Sequence, residues 1–432
     1  MQGIWKTVFS NSFLLLSVRV VSKVATIIVM VLAARHLGID QFGLFSAILA
    51  ATSLSGILSD FGLVLPTIRS VSKGVDGERA IVGETFSARL FWGSIAFAGV
   101  LGFSFLAGFP AAAAILFALS SIFETCWTAL IRAFEGRLEM KIVTVFTLLE
   151  RVIFSVSVVG ALLLAGTLVS VSIGYLVSSV LMLVVSLFIF QKRFGDLQIR
   201  LSWKQIVEQS AMGLPFFITA GFSAFYYKAD TILLGLMRGN AEAGIYNAAM
   251  RVIDAQMFIP MAVMATIFPS LSRLFHEKDT RFLSLFKNSF FFFLVSGAIV
   301  TGLIYFFSPA LINVLFPPAY RDSITCLQYL SLLLVFYFLN FLLSQTLIAM
   351  HLERLYTAII VLCASMSFMV NLFIIPAYGY NGAAGMRVGM ECIMSVSFVA
   401  VFIVNIRKQN LAGKARVASG TGRSFAVSSE ER

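Results

Sequence analysis

Apolar residues fall in long runs, each close to the roughly 20 residues a helix needs to cross a bilayer, and short polar turns separate them. Twelve such runs lie at 9–34, 42–65, 83–106, 111–131, 142–165, 168–190, 211–237, 244–268, 283–307, 326–350, 355–375 and 382–406. The pattern predicts an all-α polytopic membrane protein with twelve transmembrane helices. Basic residues collect in alternate turns. Arg69, Lys73 and Arg79 follow the second run, Arg132, Arg137 and Lys141 the fourth, and Lys192, Arg193, Arg200 and Lys204 the sixth. Arg273, Lys278 and Arg281 follow the eighth and Arg354 the tenth, whereas the opposite turns offer Arg35, Arg238 and Arg321. The positive-inside bias therefore predicts both termini in the cytoplasm, which an even number of spans requires.

Composition narrows the class. The chain has 432 residues, 59% of them hydrophobic and 12% charged, with a mean hydropathy of +0.93. A soluble domain of this length has too little interior to hide that much apolar surface. The net charge of +11 reads as orientation in the membrane, not as affinity for nucleic acid. Cys126, Cys326, Cys363 and Cys392 are isolated within apolar runs, without metal-ligand spacing; they read as small core residues. No GxxxxGK[ST] run is present, so transport would draw on an ion gradient, the membrane potential or consumption of the product. No cofactor is expected.

Two lobes are suggested by an internal repeat. HLGIDQFGLFSA at 36–47 and MRGNAEAGIYNA at 237–248 share a Gly, four residues, a second Gly, an aliphatic, an aromatic, a small polar residue and Ala. Leu65-Pro66-Thr67-Ile68 echoes Phe268-Pro269-Ser270-Leu271 further on. A parallel repeat about an axis along the membrane normal follows, with a midplane cavity between the halves. The expected organisation is a lobe at 1–198 (helices 1–6), a lobe at 199–406 (helices 7–12) and a disordered cytoplasmic tail at 407–432. The connector at 191–210 includes a short amphipathic piece, 203–209, suited to the membrane surface.

The same stretches resemble the polysaccharide-exporter branch, the Wzx-type flippases, of the multidrug/oligosaccharidyl-lipid/polysaccharide exporter superfamily. The resemblance rests on Arg35, Leu37, Gly38, Phe42, Gly43 and Phe45 at the first turn, and on Asp60-Phe61-Gly62 at the end of the second run. It continues through Ala229-Asp230-Thr231, Gly244-Ile245-Tyr246-Asn247, and Ile375-Pro376 with Gly379 and Gly382. It implies a MATE-like fold. It implies a flippase of the inner membrane that moves an undecaprenyl-pyrophosphate-linked oligosaccharide for O-antigen, capsule or exopolysaccharide synthesis. Membrane lipid, a polysaccharide polymerase and a chain-length regulator would be its partners, and it would not be an enzyme.

Charge inside the apolar runs marks candidate sites, because an ionised group at the bilayer centre costs about 2.5–3.5 kcal/mol even on mild scales. Arg19 and Lys23 sit four apart on one helix face, and with Lys228 and Arg251 they form a candidate pyrophosphate site. Glu124, Asp230 and Asp254 are candidate ion-coupling acids. Asn247, Glu150, Arg151, Arg387 and Glu391 are read as cavity-lining polar groups or ion pairs. Glu150 and Arg151, being adjacent, point about 100° apart and are expected to find different partners. Asp60 is read as a structural cap. No metal site is expected. Competing readings are a cation-coupled drug antiporter of the same fold, a lipid II flippase, and a membrane polysaccharide polymerase or ligase; the short outer loops and three histidines argue against the last.

Overall fold

The first two apolar runs are two limbs of one broken helix, α1 (Gln2–Asp60), in the computed structural model. Its 59 residues would extend roughly 90 Å if straight, about three times the hydrocarbon thickness. The break is at Gly38, whose φ of 74° is left-handed and free of strain only without a Cβ. The structure describes residues 2–73, 77–199 and 202–418, with side chains at 22, 24–73, 77–199 and 202–408. Among them no strand occurs.

A short helix, α2 (Val64–Ser72), occupies what the sequence suggested was a loop. Then come α3 (Glu78–Leu106), α4 (Ala111–Gly136), α5 (Met140–Ala165) and α6 (Leu168–Phe194), close to the third to sixth predicted runs. Helix α7 (Trp203–Met237) absorbs the amphipathic piece at 203–209 as its first turns. The eighth run is divided into α8 (Asn240–Gln256) and α9 (Phe258–His276). After α10 (Arg281–Leu315) and a 3-10 turn, the tenth run is divided into α11 (Ser323–Ser331) and α12 (Leu333–Ala349), bent by 42°. The last two runs are limbs of α13 (Glu353–Ala418), broken at Gly379 with φ 56°. The helix thus continues past 407, where a disordered tail was expected; 419–432 lie outside the described residues. Among the described residues, eight helical stretches are long and apolar enough to cross a membrane, or nine if α11 and α12 form one bent span. Helix α7, with Lys228 and Asp230, is not among them.

Large apolar side chains such as Leu164, Phe188, Phe306 and Phe373 are exposed, the arrangement expected when the surrounding solvent is lipid. In the run of four phenylalanines at 290–293, Phe291 and Phe292 face outward and Phe293 is buried.

Helix α1 packs against α3, α4 and α5 and also against α7 and α8. Its contact with α8 joins the two copies of the sequence repeat. A Cβ added to Gly43 would overlap the Asn240 carbonyl, and one added to Gly244 would overlap the Ile39 carbonyl. Gly38 and Gly239, the first glycines of the two copies, both have positive φ. The repeat is therefore a contact in which each copy's second glycine lets the other's backbone approach. Polar bonds tie the same end. Arg35 Nε donates to the Leu315 carbonyl at 2.8 Å, the Tyr320 hydroxyl to Ala34 at 3.2 Å and Ser323 Oγ to Ile245 at 2.9 Å.

The opposite end of α1 has its own closure. Phe61 stacks between Trp92 at 4.0 Å and Phe217 at 4.6 Å. Trp92 Nε1 donates to Ser210 at 2.9 Å, and Gln205 donates to Glu84 at 2.8 Å. Gly62 and Gly213 leave no space for a Cβ between α7 and the end of α1. Asp60 pairs with Arg89, which also donates to the Thr125 carbonyl at 2.8 Å. Its role is an ion pair between helices, not a helix cap.

Gly43→Ala or Gly244→Ala forces these backbones apart and is expected to lower stability by about 1–3 kcal/mol, the usual range for overpacking. Gly56→Ala, with nothing within 4 Å of the added Cβ, should leave thermal melting of the detergent-purified protein at or above the wild-type value.

Candidate functional site

The intramembrane charges gather in three places. A cavity of about 240 Å³ lies among α1, α4, α5 and α6, lined by Thr26, Ser53, Glu124, Glu150, Arg151 and Tyr175. Glu124 opens into it. Glu150 and Arg151 pair with each other at 3.1 Å, so the expectation of separate partners is corrected: their Cβ atoms diverge, but the long Arg stem bends back. Arg151 Nη1 also donates to Thr26 Oγ1 at 2.9 Å. Two carboxylates face one guanidinium here.

A second cavity, of about 320 Å³, is lined by residues of α7 and α8: Tyr227, Lys228, Thr231, Tyr246, Asn247, Arg251 and Asp254. Arg251 and Asp254, one helical turn apart, lie 4.0 Å from each other. Asp254 is thus not an unshared acid. Thr231 donates to Asn247 at 3.2 Å. Arg251 Nε is buried without a hydrogen-bond acceptor among the described residues. Two cations face one carboxylate here, the reverse of the first cavity. Tyr175, on the wall of the first cavity, lies within electrostatic range of Arg251 as well as of Glu124, Glu150 and Arg151. The side chains of Arg19 and Lys23 lie outside the described residues.

The third place is sealed. Arg387 has a side-chain exposure of 0%, and Asp230 and Glu391 have 2% and 1%. Arg387 Nη1 lies 3.5 Å from Asp230 Oδ2 and bonds the Tyr226 carbonyl. Its Nη2 donates to the Tyr337 hydroxyl at 3.0 Å. The rings of Tyr226 and Tyr227 lie 4.1 and 4.7 Å from the guanidinium carbon, in cation–π range. Asp230 accepts from Tyr246 at 3.0 Å and Asn371 at 2.9 Å. Glu391 pairs with Tyr226 at 2.9 Å and accepts from Asn340 at 2.7 Å. Asp230 therefore belongs to a buried network and does not stand open in the cavity as an unshared acid.

Sequence reasoning named the charged members of each group but missed the tyrosines and the two asparagines. Asn340 and Asn371, single amides inside otherwise apolar runs, were the available signal, since such groups are buried only with partners. Nothing local marks Tyr226 or Tyr337, which are indistinguishable in sequence from membrane-facing aromatics.

Comparison with known proteins places these features in context. The family described as "Polysaccharide biosynthesis protein" matches residues 8–275. A putative O-antigen transporter of Shigella dysenteriae is 24% identical over 91% of this chain and 97% of its own. An uncharacterized membrane protein of Methanocaldococcus jannaschii is 27% identical over 49% of this chain, spanning 43% of that protein. Among solved structures, an inward closed conformation of the lipid II flippase MurJ superposes with a TM-score of 0.72 at 15% identity, covering 90% of this chain and 87% of that one. The fold is shared at that level.

Arg387→Met leaves Asp230 buried without its counter-charge and is expected to cost about 3–5 kcal/mol. Glu124→Gln, on a cavity wall, should change stability by no more than about 0.5 kcal/mol. Thermal melting of the purified variants separates the two.

Proposed function

The chain belongs to the polysaccharide biosynthesis protein family, within the multidrug/oligosaccharidyl-lipid/polysaccharide exporter superfamily, and on that premise we propose that it is a flippase for an undecaprenyl-pyrophosphate-linked oligosaccharide. It works in the inner membrane, in the assembly of a surface polysaccharide such as O-antigen. The name carried by the Shigella relative, an O-antigen transporter, supports this reading.

The carrying observation is the α7–α8 cavity. Lys228 and Arg251 line it together, and the buried Arg251 Nε has no acceptor among the described residues. A diphosphate offers acceptors for both: Arg binds phosphate oxygens in a fork and Lys as a point charge. The lining of this cavity belongs to the 199–406 lobe, and α1 of the 1–198 lobe packs against the same two helices. With twelve spans and both termini cytoplasmic, the basic loops face the side where the carrier lipid is loaded. Rocking of the lobes exposes the cavity to each face in turn. A polymerase and chain-length regulator act on the glycan after delivery. Glu124 and Asp254 are candidate ion-coupling acids.

A second reading has its own observation. The α4–α5 cavity carries two carboxylates, Glu124 and Glu150, against one guanidinium, a surface suited to a cation. A cation-coupled drug antiporter would use it. Deletion that raises drug susceptibility and leaves surface glycan intact favours that reading.

Losing a charged hydrogen bond to the cargo is worth about 1.5–3 kcal/mol, which is tenfold or more in affinity. At equal membrane abundance, Lys228→Ala and Arg251→Ala are therefore expected to cut surface-glycan export at least about tenfold in a flippase-deficient strain. Full export by both variants contradicts the assignment.

A further inference from the structure

The sealed cluster on α7, α12 and α13 has an unbalanced charge. One guanidinium, Arg387, faces two carboxylates, Asp230 and Glu391, all of them buried. If both acids were ionised, the cluster would carry one uncompensated negative charge in a low-dielectric interior, which is far more costly than a neutral arrangement. The other groups around it are side chains without formal charge: Tyr226 and Tyr227 on α7, Tyr246 on α8, Tyr337 and Asn340 on α12, and Cys363 and Asn371 on the first limb of α13; the next acid, Asp254, is in electrostatic range of Tyr227 and Tyr337. The missing partner is a cation. The guanidinium already stands between the two carboxylates, and no group of three or more acids, histidines or cysteines able to hold a metal occurs among the described residues.

We propose that Asp230, Arg387 and Glu391 form a proton-binding site, with the proton on Glu391. The geometry distinguishes the two acids. Each acid has one tyrosine and one asparagine donor, but Asp230 lies nearer the cation, 3.5 Å from an Arg387 nitrogen. Glu391 lies 3.9 Å from Arg387 Nε, too far for a hydrogen bond. That Nε, fully buried, has no hydrogen-bond acceptor among the described residues. One Glu391 oxygen accepts from Asn340 at 2.7 Å; the partner of the other, at 2.9 Å, is a hydroxyl, Tyr226, which accepts from a carboxylic acid as readily as it donates to a carboxylate. Uptake adds a proton from water to a Glu391 carboxylate oxygen and brings the cluster from one net negative charge to neutrality. Release reverses this, with no other bond made or broken.

The site is wired to the cavity. Tyr227 and Tyr246 line the space beside Lys228 and Arg251; the Tyr227 ring lies against Arg387 and the Tyr246 hydroxyl donates to Asp230. An anion in that space adds negative potential next to the cluster and favours its protonated form. By linkage, the proton then favours the anion equally. This coupling deepens the flippase reading and rests on it for the cargo; the proton site itself does not.

Infrared difference spectroscopy of the purified full chain during pH titration tests both parts. The wild type is expected to show a carboxylic-acid C=O band that is lost in Glu391→Gln. Asp230→Asn, which leaves Arg387 balanced by Glu391 alone, should remove the same band and decides the matter if the first variant does not fold. A band unchanged in either folded variant overturns the proton site. Added inorganic pyrophosphate is expected to keep the wild-type band to higher pH, and to have no such effect in Lys228→Ala. If pyrophosphate does not move the titration, the link to the cavity is overturned while the proton site stands. A sodium-dependent, pH-independent response of the band also overturns the assignment. Full glycan export by Lys228→Ala and Arg251→Ala, with the band intact in the wild type, would instead fault the flippase reading.

Discussion

An arginine sealed among apolar helices must bring its solvation with it, and the structure is arranged around that requirement. Arg387 is held by Asp230, the Tyr226 carbonyl, the Tyr337 hydroxyl and two aromatic faces. Those partners lie on α7 and α12, so one side chain of α13 fixes three helices relative to one another. Removing any partner leaves charge in a medium that cannot hydrate it, which is why such a group specifies geometry so strongly. Arg89 plays a similar part elsewhere, joining α3 to Asp60 on α1 and to the Thr125 carbonyl on α4.

Between these rigid groups, the helices meet through contacts of a different kind. The α1–α8 approach rests on Gly43 and Gly244, and the approach of α7 to the end of α1 on Gly62 and Gly213. Backbone-on-backbone contacts and stacked rings such as Phe61 with Phe217 separate at less cost than a buried ion pair. Stiff charged clusters within each helix group, and apolar or glycine-lined seams where α1 meets α7 and α8, are what a rocking mechanism needs. The cavities lie beside these seams, with negative charge in excess on the α4–α5 side and positive on the α7–α8 side.

Much of this was legible in the chain. Hydropathy located the long apolar helices, because a helix in lipid satisfies its own backbone bonds and needs only apolar side chains. The repeat containing Gly38 and Gly239 was legible as a pattern, and both glycines hold a positive φ that a Cβ would strain. The Arg251–Asp254 and Arg387–Glu391 spacings announced their own proximity, being one helical turn apart. What was not legible is long-range. Arg387 meets Asp230 across 157 positions of chain (387 less 230), and nothing at either end names the other. Glu150 and Arg151 misled because adjacency fixes the direction of Cβ and not the reach of a guanidinium. The division of the eighth run at Met257 and of the tenth at Leu332 was hidden, since apolar composition continues through both bends.

The central claim is that the space between α7 and α8 receives a phosphorylated glycan carrier. A cryo-electron microscopy map of the full chain in a lipid nanodisc with undecaprenyl-pyrophosphate-linked oligosaccharide tests it most directly. The account predicts diphosphate density within hydrogen-bonding distance of Lys228 and Arg251. Headgroup density against the acidic wall at Glu124 and Glu150, or on the lipid-facing surface with this space empty, would contradict it.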